Sequence, residues 1–174
     1  MHTLEVVRAT ECDAGIIALL GRMTFTETFG HLFREKKDLL GYYERTFSVA
    51  KIRNSLNKEN NLYWLAHVDE LPVGYAKLKL NSSNEFVDSD NICQLQKIYV
   101  LRDFLSMKIG RELQDMLLTE AKERFFSDIW LSVLNSNQRA ISFYERNDFV
   151  KVGEHDFQIG RENFDFLAMN KKLS

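Results

Sequence analysis

A strand, a loop and a helix start are written into one continuous stretch, Gln94–Arg111 (QLQKIYVLRDFLSMKIGR). Leu95, Ile98, Val100 and Leu101 stand among polar residues and Tyr99, which is the composition of a mostly buried strand. From Ile109 to Phe125 the apolar residues Ile109, Leu113, Met116, Leu117, Ala121 and Phe125 recur at steps of three and four, which predicts a helix. A second strongly apolar strand follows at Asp128–Leu134 (DIWLSVL). Strand, helix and strand at this spacing make a βαβ unit, so the two strands should run parallel. The helix start offers unpaired backbone N–H groups and the positive end of a dipole. Such a start can hold a phosphate, and Lys108 and Arg111 add charge at the same spot. An ordinary βα connection with solvated cations fits the same residues, and the stretch by itself leaves both readings open.

The rest of the chain sets the bounds. Its 174 residues are enough for one domain with a sizeable core, taken to span 1–174. A hydrophobic content of 45% and a charged content of 28% are ordinary for a soluble globular protein. The net charge of -2 gives no global pull toward nucleic acid or membrane, so neither is expected as a partner and any anion site must be local. Cys12 and Cys93 make neither a disulfide framework nor metal-ligand spacing. No metal is expected, and a reduced, cytoplasmic setting is the default. No apolar run has the length of a signal peptide or a bilayer span.

In chain order, Thr3–Arg8 reads as a first strand, and Thr10 with Asp13 can cap a helix over about Glu11–Phe29. Gly15 and Gly21 weaken that helix and predict a kink or break. An aromatic-rich zone follows, with Phe25, Phe29, His31, Phe33, Tyr42, Tyr43 and Phe47. It fits first the packed core of two short helices, and as a second reading a pocket wall whose ring faces attract a cation. Val49–Leu56 is a further short helix. Leu62–Val68 and Val73–Leu80 form a hairpin turned by Asp69 to Pro72. Asn81–Asn91 is a solvated acidic loop, or an acidic rim that draws in a cation. Asn137–Arg146 is a helix, with Ala140, Ile141, Phe143 and Tyr144 on its inner face. Phe149–Glu154 and Phe164–Lys171 close the sheet antiparallel, joined by Gln158–Asn163. The fold class is α/β (α+β): a mixed sheet with helices packed against it.

The run Ile98-Tyr99-Val100-Leu101 and the loop ending Lys108-Ile109-Gly110-Arg111 resemble motif A of the GNAT superfamily of N-acetyltransferases. The run Trp130–Phe149 (WLSVLNSNQRAISFYERNDF) resembles motif B at Asn137, Ala140, Phe143, Tyr144 and Asp148-Phe149. Within the superfamily the chain is similar to bacterial polyamine acetyltransferases of the PaiA type. That likeness lies at Thr24–Phe29, Ile98-Tyr99, Ile129–Leu131, Ala140 with Phe143-Tyr144, and Gly153 with His155–Phe157. The resemblance implies a mostly antiparallel twisted sheet with a bulged central strand, a splayed parallel strand pair, and helices on both faces.

It also implies acetyl-CoA as donor and a primary amine of a small molecule, a polyamine among them, as acceptor. The implied cofactor contacts are Ile98, Tyr99, Val100, Ser106, Met107, Lys108, Ile109, Gly110, Arg111, Asn137, Ala140, Phe143 and Tyr144. Within this set the Val100 N–H polarises the thioester oxygen, Asn137 binds the pantetheine arm, and Tyr144 is the acid for the leaving thiolate. A packed core aromatic remains the other reading of Tyr144. Phe25, Glu27, Phe29, His31 and Tyr43 are the candidate acceptor contacts, with Glu27, His31 and Tyr43 as candidate bases and Glu27, Glu85 and Asp88 as an acidic rim. There are two departures from the pattern. Lys108 stands where a loop glycine is usual, and fits if its φ is negative. Gln94 and Gln96 stand where many relatives carry glutamates, and an amide cannot accept a proton at neutral pH. These departures keep open an acyl-CoA-binding sensor domain without turnover, and acetylation of a protein or peptide amine stands as a third reading. The acceptor, the base and the oligomeric state, a homodimer among the options, are open.

Overall fold

The computed structural model describes all 174 residues. The strands are β1 (Leu4–Arg8), β2 (Asn61–Val68), β3 (Leu71–Lys79), β4 (Ile92–Val100), β5 (Asp128–Leu134), β6 (Val150–Ile159) and β7 (Glu162–Lys172). They form one sheet in the order β1-β2-β3-β4-β5-β7-β6. Every neighbouring pair is antiparallel except β4 and β5, which run parallel. Helices α1 (Ala14–Phe29), α2 (Lys36–Thr46) and α3 (Val49–Leu56) cover one face over Ile17, Phe25, Phe47, Tyr63 and Tyr75. Helices α4 (Ile109–Glu123) and α5 (Gln138–Arg146) cover the other, over Leu95, Leu113, Leu117, Ile129 and Ile141.

The βαβ unit stands as expected, but its strands part early. β4 and β5 are paired only at Ile92↔Asp128, Cys93↔Ile129 and Gln94↔Trp130. The cause lies on the other edge of β4. There Lys77 faces Lys97 and Leu78 faces Leu95, so Gln96 is an extra, bulged residue. A bulge bends its strand and sharpens its twist, which carries the upper half of β4 away from β5.

Elsewhere the chain departs from simple pattern reading in four places. Helix α1 is continuous from Ala14 to Phe29, with a 3-10 turn at Glu11–Asp13 before it. Gly21 does not break it; a Cβ there would lie 2.4 Å from Phe47 Cδ1, so the glycine makes room for that ring. The β2–β3 turn is only Asp69-Glu70, both left-handed (φ 49° and 70°), and Leu71 and Pro72 belong to β3. Two successive left-handed residues match the twist of a two-residue hairpin. The β6–β7 turn is likewise Gly160-Arg161 rather than the longer loop. Gly160 has φ +59° and lies against Asp38, whose carboxylate accepts the Arg161 N–H at 3.0 Å. With the Arg34–Glu162 pair at 2.7 Å, this clamps α2 to the far end of the sheet. Finally, Lys108 has φ +60° and ψ 24°, so the negative φ under which a lysine would fit this position is not the one adopted. The chain must reverse from the 3-10 turn Arg102–Met107 into α4 at this residue, and a left-handed residue makes that corner.

Candidate active site

A cavity of about 870 Å³ opens where β4 leaves β5. Its walls are Ile98, Tyr99 and Val100 of β4, Leu134 at the end of β5, the start of α4, and Asn137 to Asn147 around α5. It passes through the sheet. Lys108, Gly110 and Arg111 line it on the α4 side, and Thr24, Glu27, Thr28 and His31 line it on the α1 side.

Strand alternation supplies a donor midway. The Leu101 N–H donates to Val73 O of β3 at 2.9 Å. Successive N–H groups of a strand point to opposite edges. Those of Ile98 and Val100 therefore aim at the edge that β5 has vacated. At the α4 side, the first-turn N–H groups have no partner inside the helix. Gly110 faces open space, with nothing within 4 Å of a Cβ added there, so a ligand can approach the bare backbone. Lys108, Arg111, Arg139 and Arg146 make this end cationic. These features suit a phosphate-bearing ligand with an extended amide arm.

Tyr144 is buried in the cavity wall against Phe143 and Phe149. Burial alone pushes its pKa well above that of a free phenol, so its hydroxyl stays protonated and acts as a donor. Asn137 caps α5, its Oδ1 accepting the Ala140 N–H at 3.2 Å, which leaves its NH₂ group as a donor for the cavity. Ala140 and Phe143 line the wall beside it. Ser106, Met107 and Ile109 do not line the cavity; Ile109 is buried in the core beneath α4 and Ser106 is exposed.

The residues expected around the acceptor divide. Glu27 and His31 line the cavity. The Glu27 carboxylate accepts the Arg102 N–H at 3.1 Å, and the Arg102 guanidinium donates to Glu27 O at 2.6 Å. Glu27 thus ties the end of α1 to the end of β4. Phe25, Phe29 and Tyr43 do not line the cavity; all three are buried. Phe25 and Phe29 stack at 4.4 Å, and the Tyr43 hydroxyl is hydrogen-bonded to Thr26 Oγ1. The aromatic zone is the core reading of the two. Glu85 and Asp88 lie outside the cavity as well.

Sequence reasoning passed over Thr24, Thr28, Arg139 and Arg146. The first two had a signal: Thr24, Thr28 and His31 recur at steps of four and three, one side of α1 continued into the 3-10 turn Gly30–Leu32. No group of three or more His, Cys, Asp and Glu side chains is placed to hold a metal ion. No helix is long and apolar enough to cross a membrane.

Residues 25–149 match the model of the acetyltransferase (GNAT) family. The chain belongs to that family. An uncharacterized N-acetyltransferase in the pepI 3' region of Lactobacillus delbrueckii subsp. lactis is 27% identical over 174 residues, covering 99% of each chain. Among solved structures, the PaiA N-acetyltransferase of Thermoplasma acidophilum, in complex with coenzyme A, has a TM-score of 0.77 at 20% identity over 98% of this chain and 99% of its own. A ribosomal-protein-alanine N-acetyltransferase of Escherichia coli has a TM-score of 0.68 at 19% identity, covering 100% of this chain and 95% of its own. At these identities the two structures speak for the fold. The split β4–β5 pair, the left-handed corner before α4 and the Asn137-capped α5 are this GNAT chain's own version of that fold.

Proposed function

We propose that this GNAT chain transfers the acetyl group of acetyl-CoA to a primary amine of a small molecule by direct attack, in a cytoplasmic setting. The carrying observation is one cavity through the β4–β5 split, cationic at the α4 end, with an unpaired strand amide and the Tyr144 hydroxyl on its walls. Bound acetyl-CoA supplies the thioester whose carbonyl carbon the amine attacks. The N–H groups of Gly110 and Arg111, with the Lys108 and Arg111 side chains, hold the diphosphate. The free edge of β4 and the Asn137 NH₂ group hold the pantetheine amides. The Val100 N–H stabilises the negative charge that grows on the carbonyl oxygen. Tyr144 donates a hydrogen bond to the departing sulfur, which leaves as the thiolate and takes up the proton that the attacking nitrogen loses on becoming an amide. Its raised pKa makes full transfer to a thiolate uphill, a thiol's own value being ~8.5, so donation rather than protonation is its role. Arg102 engages Glu27, which leaves His31 as the cavity side chain able to take the ammonium proton.

The PaiA-type likeness nominates a polyamine, and the Escherichia coli relative's name nominates a protein alanine; both belong in the first assay beside simple amines. Acetyl-CoA should raise the melting temperature, since a ligand that binds only the folded form stabilises it. Release of CoA thiol on adding an amine then reports transfer. A melting shift without turnover across the whole panel would assign the chain to acyl-CoA sensing instead. The absence of any shift in the wild type would sink the cofactor assignment.

A further inference from the structure

The N–H groups that β4 frees at the split are not all left open. The Leu101 N–H goes to Val73 O on β3, so those of Ile98, Val100 and Arg102 point at the edge that β5 has vacated. The last of the three is filled. Both oxygens of the Glu27 carboxylate accept the Arg102 N–H, at 3.1 and 3.3 Å. Glu27 therefore sits on the free edge one N–H beyond that of Val100, roughly 7 Å further along the strand. It closes the lane that holds the pantetheine arm, on the α1 side, where the acceptor meets the thioester.

The surroundings of that carboxylate are uneven. Glu27 is the only acid among the residues that line the cavity. One N–H does not exhaust a carboxylate, which accepts about four hydrogen bonds, and the Glu27 side chain is 30% exposed. The Arg102 guanidinium does not take up the rest. Its Nη2 donates to Glu27 O at 2.6 Å, while its Nε stays 3.9 Å from Oε2, beyond hydrogen-bond reach. That guanidinium is 64% exposed and lines the cavity beside the carboxylate. Apart from His31, the remaining wall on this side carries no charge. Thr24 and Thr28 are followed by Leu32, and Tyr99 and Leu134 face them from the sheet.

Resting on the acetyl-transfer reading, we propose that Glu27 anchors the single ammonium of the acceptor at the end of the free edge, and that Arg102 beside it turns a second positive charge away. The acceptor is then a small primary monoamine with an uncharged tail against Leu32, Tyr99 and Leu134, and not a polyamine. An alkyl ammonium keeps its proton at neutral pH, so a carboxylate is the group that selects it. Once anchored, it gives that proton to His31, and the neutral nitrogen attacks the carbonyl carbon held at Val100. Glu27 stays ionised throughout. A polyamine would need a second counter-charge, and the next charged side chain it meets on this side is a cation.

The test compares kcat/KM for an alkylamine, an ω-hydroxyalkylamine and an α,ω-diamine of equal chain length. Both neutral-tailed amines should exceed the diamine by about tenfold at low salt, the scale of one charged contact, and added salt should narrow the gap by screening it. Glu27→Gln keeps an oxygen for the Arg102 N–H and loses only the charge. Its KM for the monoamines should rise by about tenfold or more while KM for acetyl-CoA holds. Arg102→Gln keeps the backbone N–H that Glu27 holds, and should bring the diamine up to the monoamines. A wild type that uses the diamine as well as or better than the monoamines overturns the proposal, and so does a monoamine KM untouched in Glu27→Gln. Calorimetry of the same amines against the CoA-bound protein separates this anchor from the transfer reading. If no amine turns over, the transfer reading fails alone, and monoamine binding that exceeds diamine binding and is lost in Glu27→Gln still supports the anchor. Equal or undetectable binding of all three overturns it.

Discussion

At the scale of single residues, Lys108 and Tyr144 both answer to backbone or burial more than to charge. Lys108 holds a left-handed conformation that glycine adopts without strain. Lys108→Gly is expected to raise stability by about 1 kcal/mol, read as a higher urea midpoint with an unchanged slope. The same variant loses a cation at the phosphate end, so its acetyl-CoA affinity should fall as its stability rises. Tyr144→Phe removes only a hydroxyl from a packed wall, so KM for acetyl-CoA should hold while kcat falls on the order of a hundredfold, the scale of losing one transition-state hydrogen-bond donor. A fall confined to KM would mean that the ring packs against the cofactor and its hydroxyl does nothing. Gln114 is fully buried in α4 with neither its Oε1 nor its Nε2 partnered. Gln114→Leu should therefore stabilise the protein by roughly 1–3 kcal/mol, the penalty of an unsatisfied amide. Thermal melting checks this, and a destabilised variant would point to an internal water bonded to that amide.

At the scale of elements, the bulge at Gln96 makes the site. It inserts one residue without changing which faces the rest of β4 presents. Cys93, Leu95, Ile98 and Val100 pack toward α4, while Tyr99 and Leu101 pack toward α1–α3. Deleting Gln96 should therefore leave the sheet's two faces intact and the protein folded. A regular β4 would then be able to pair further along β5, closing the cleft. Loss of the acetyl-CoA melting shift in a variant that still melts cooperatively is the expected result; an undiminished shift would show that the split has another cause. Gly74 guards the same geometry from β3. A Cβ there would stand 2.6 Å from the Tyr99 carbonyl and 3.2 Å from Val100 Cα. The Arg102–Glu27 contact sets the other end of β4 against α1.

At the scale of the whole molecule, a net charge of -2 hides an uneven distribution. Lysines collect on the β3–β4 face, and further cations line the α4 end of the cavity. Lys77 and Lys97 have pKa values of about 7 and about 8 in the folded state, below the usual lysine value of ~10.4. Between those limits the unfolded chain binds more protons than the folded one, so their contribution to stability rises with pH. The penalty they impose is full below about pH 7 and is relieved from there toward pH 10. Urea unfolding across pH 7 to 10 should show a steeper rise for the wild type than for a Lys77→Met, Lys97→Met double variant. Equal slopes would mean that both lysines titrate as free side chains.

The sequence by itself determined the order of elements, the βαβ unit, the parallel pair and the family motifs. These depend on local periodicity and on residues close along the chain, such as Asn137 and Ala140, which meet within one helical turn. The three-residue step from Leu95 to Ile98 was even a mark of the bulge, since an unbroken strand would keep its apolar residues at even spacing. Only the tertiary structure decided the sign of φ at Lys108, the fate of the aromatic zone and the electrostatics of the β3–β4 face. Phe25, Phe29 and Tyr43 look alike as pocket wall or as core until α2, which carries Tyr43, packs against α1. Lys77 and Lys97, twenty residues apart, become a like-charged pair only when the bulge sets the register of two strands. Periodicity is a property of a segment, whereas charge, strain and access depend on which segments come together.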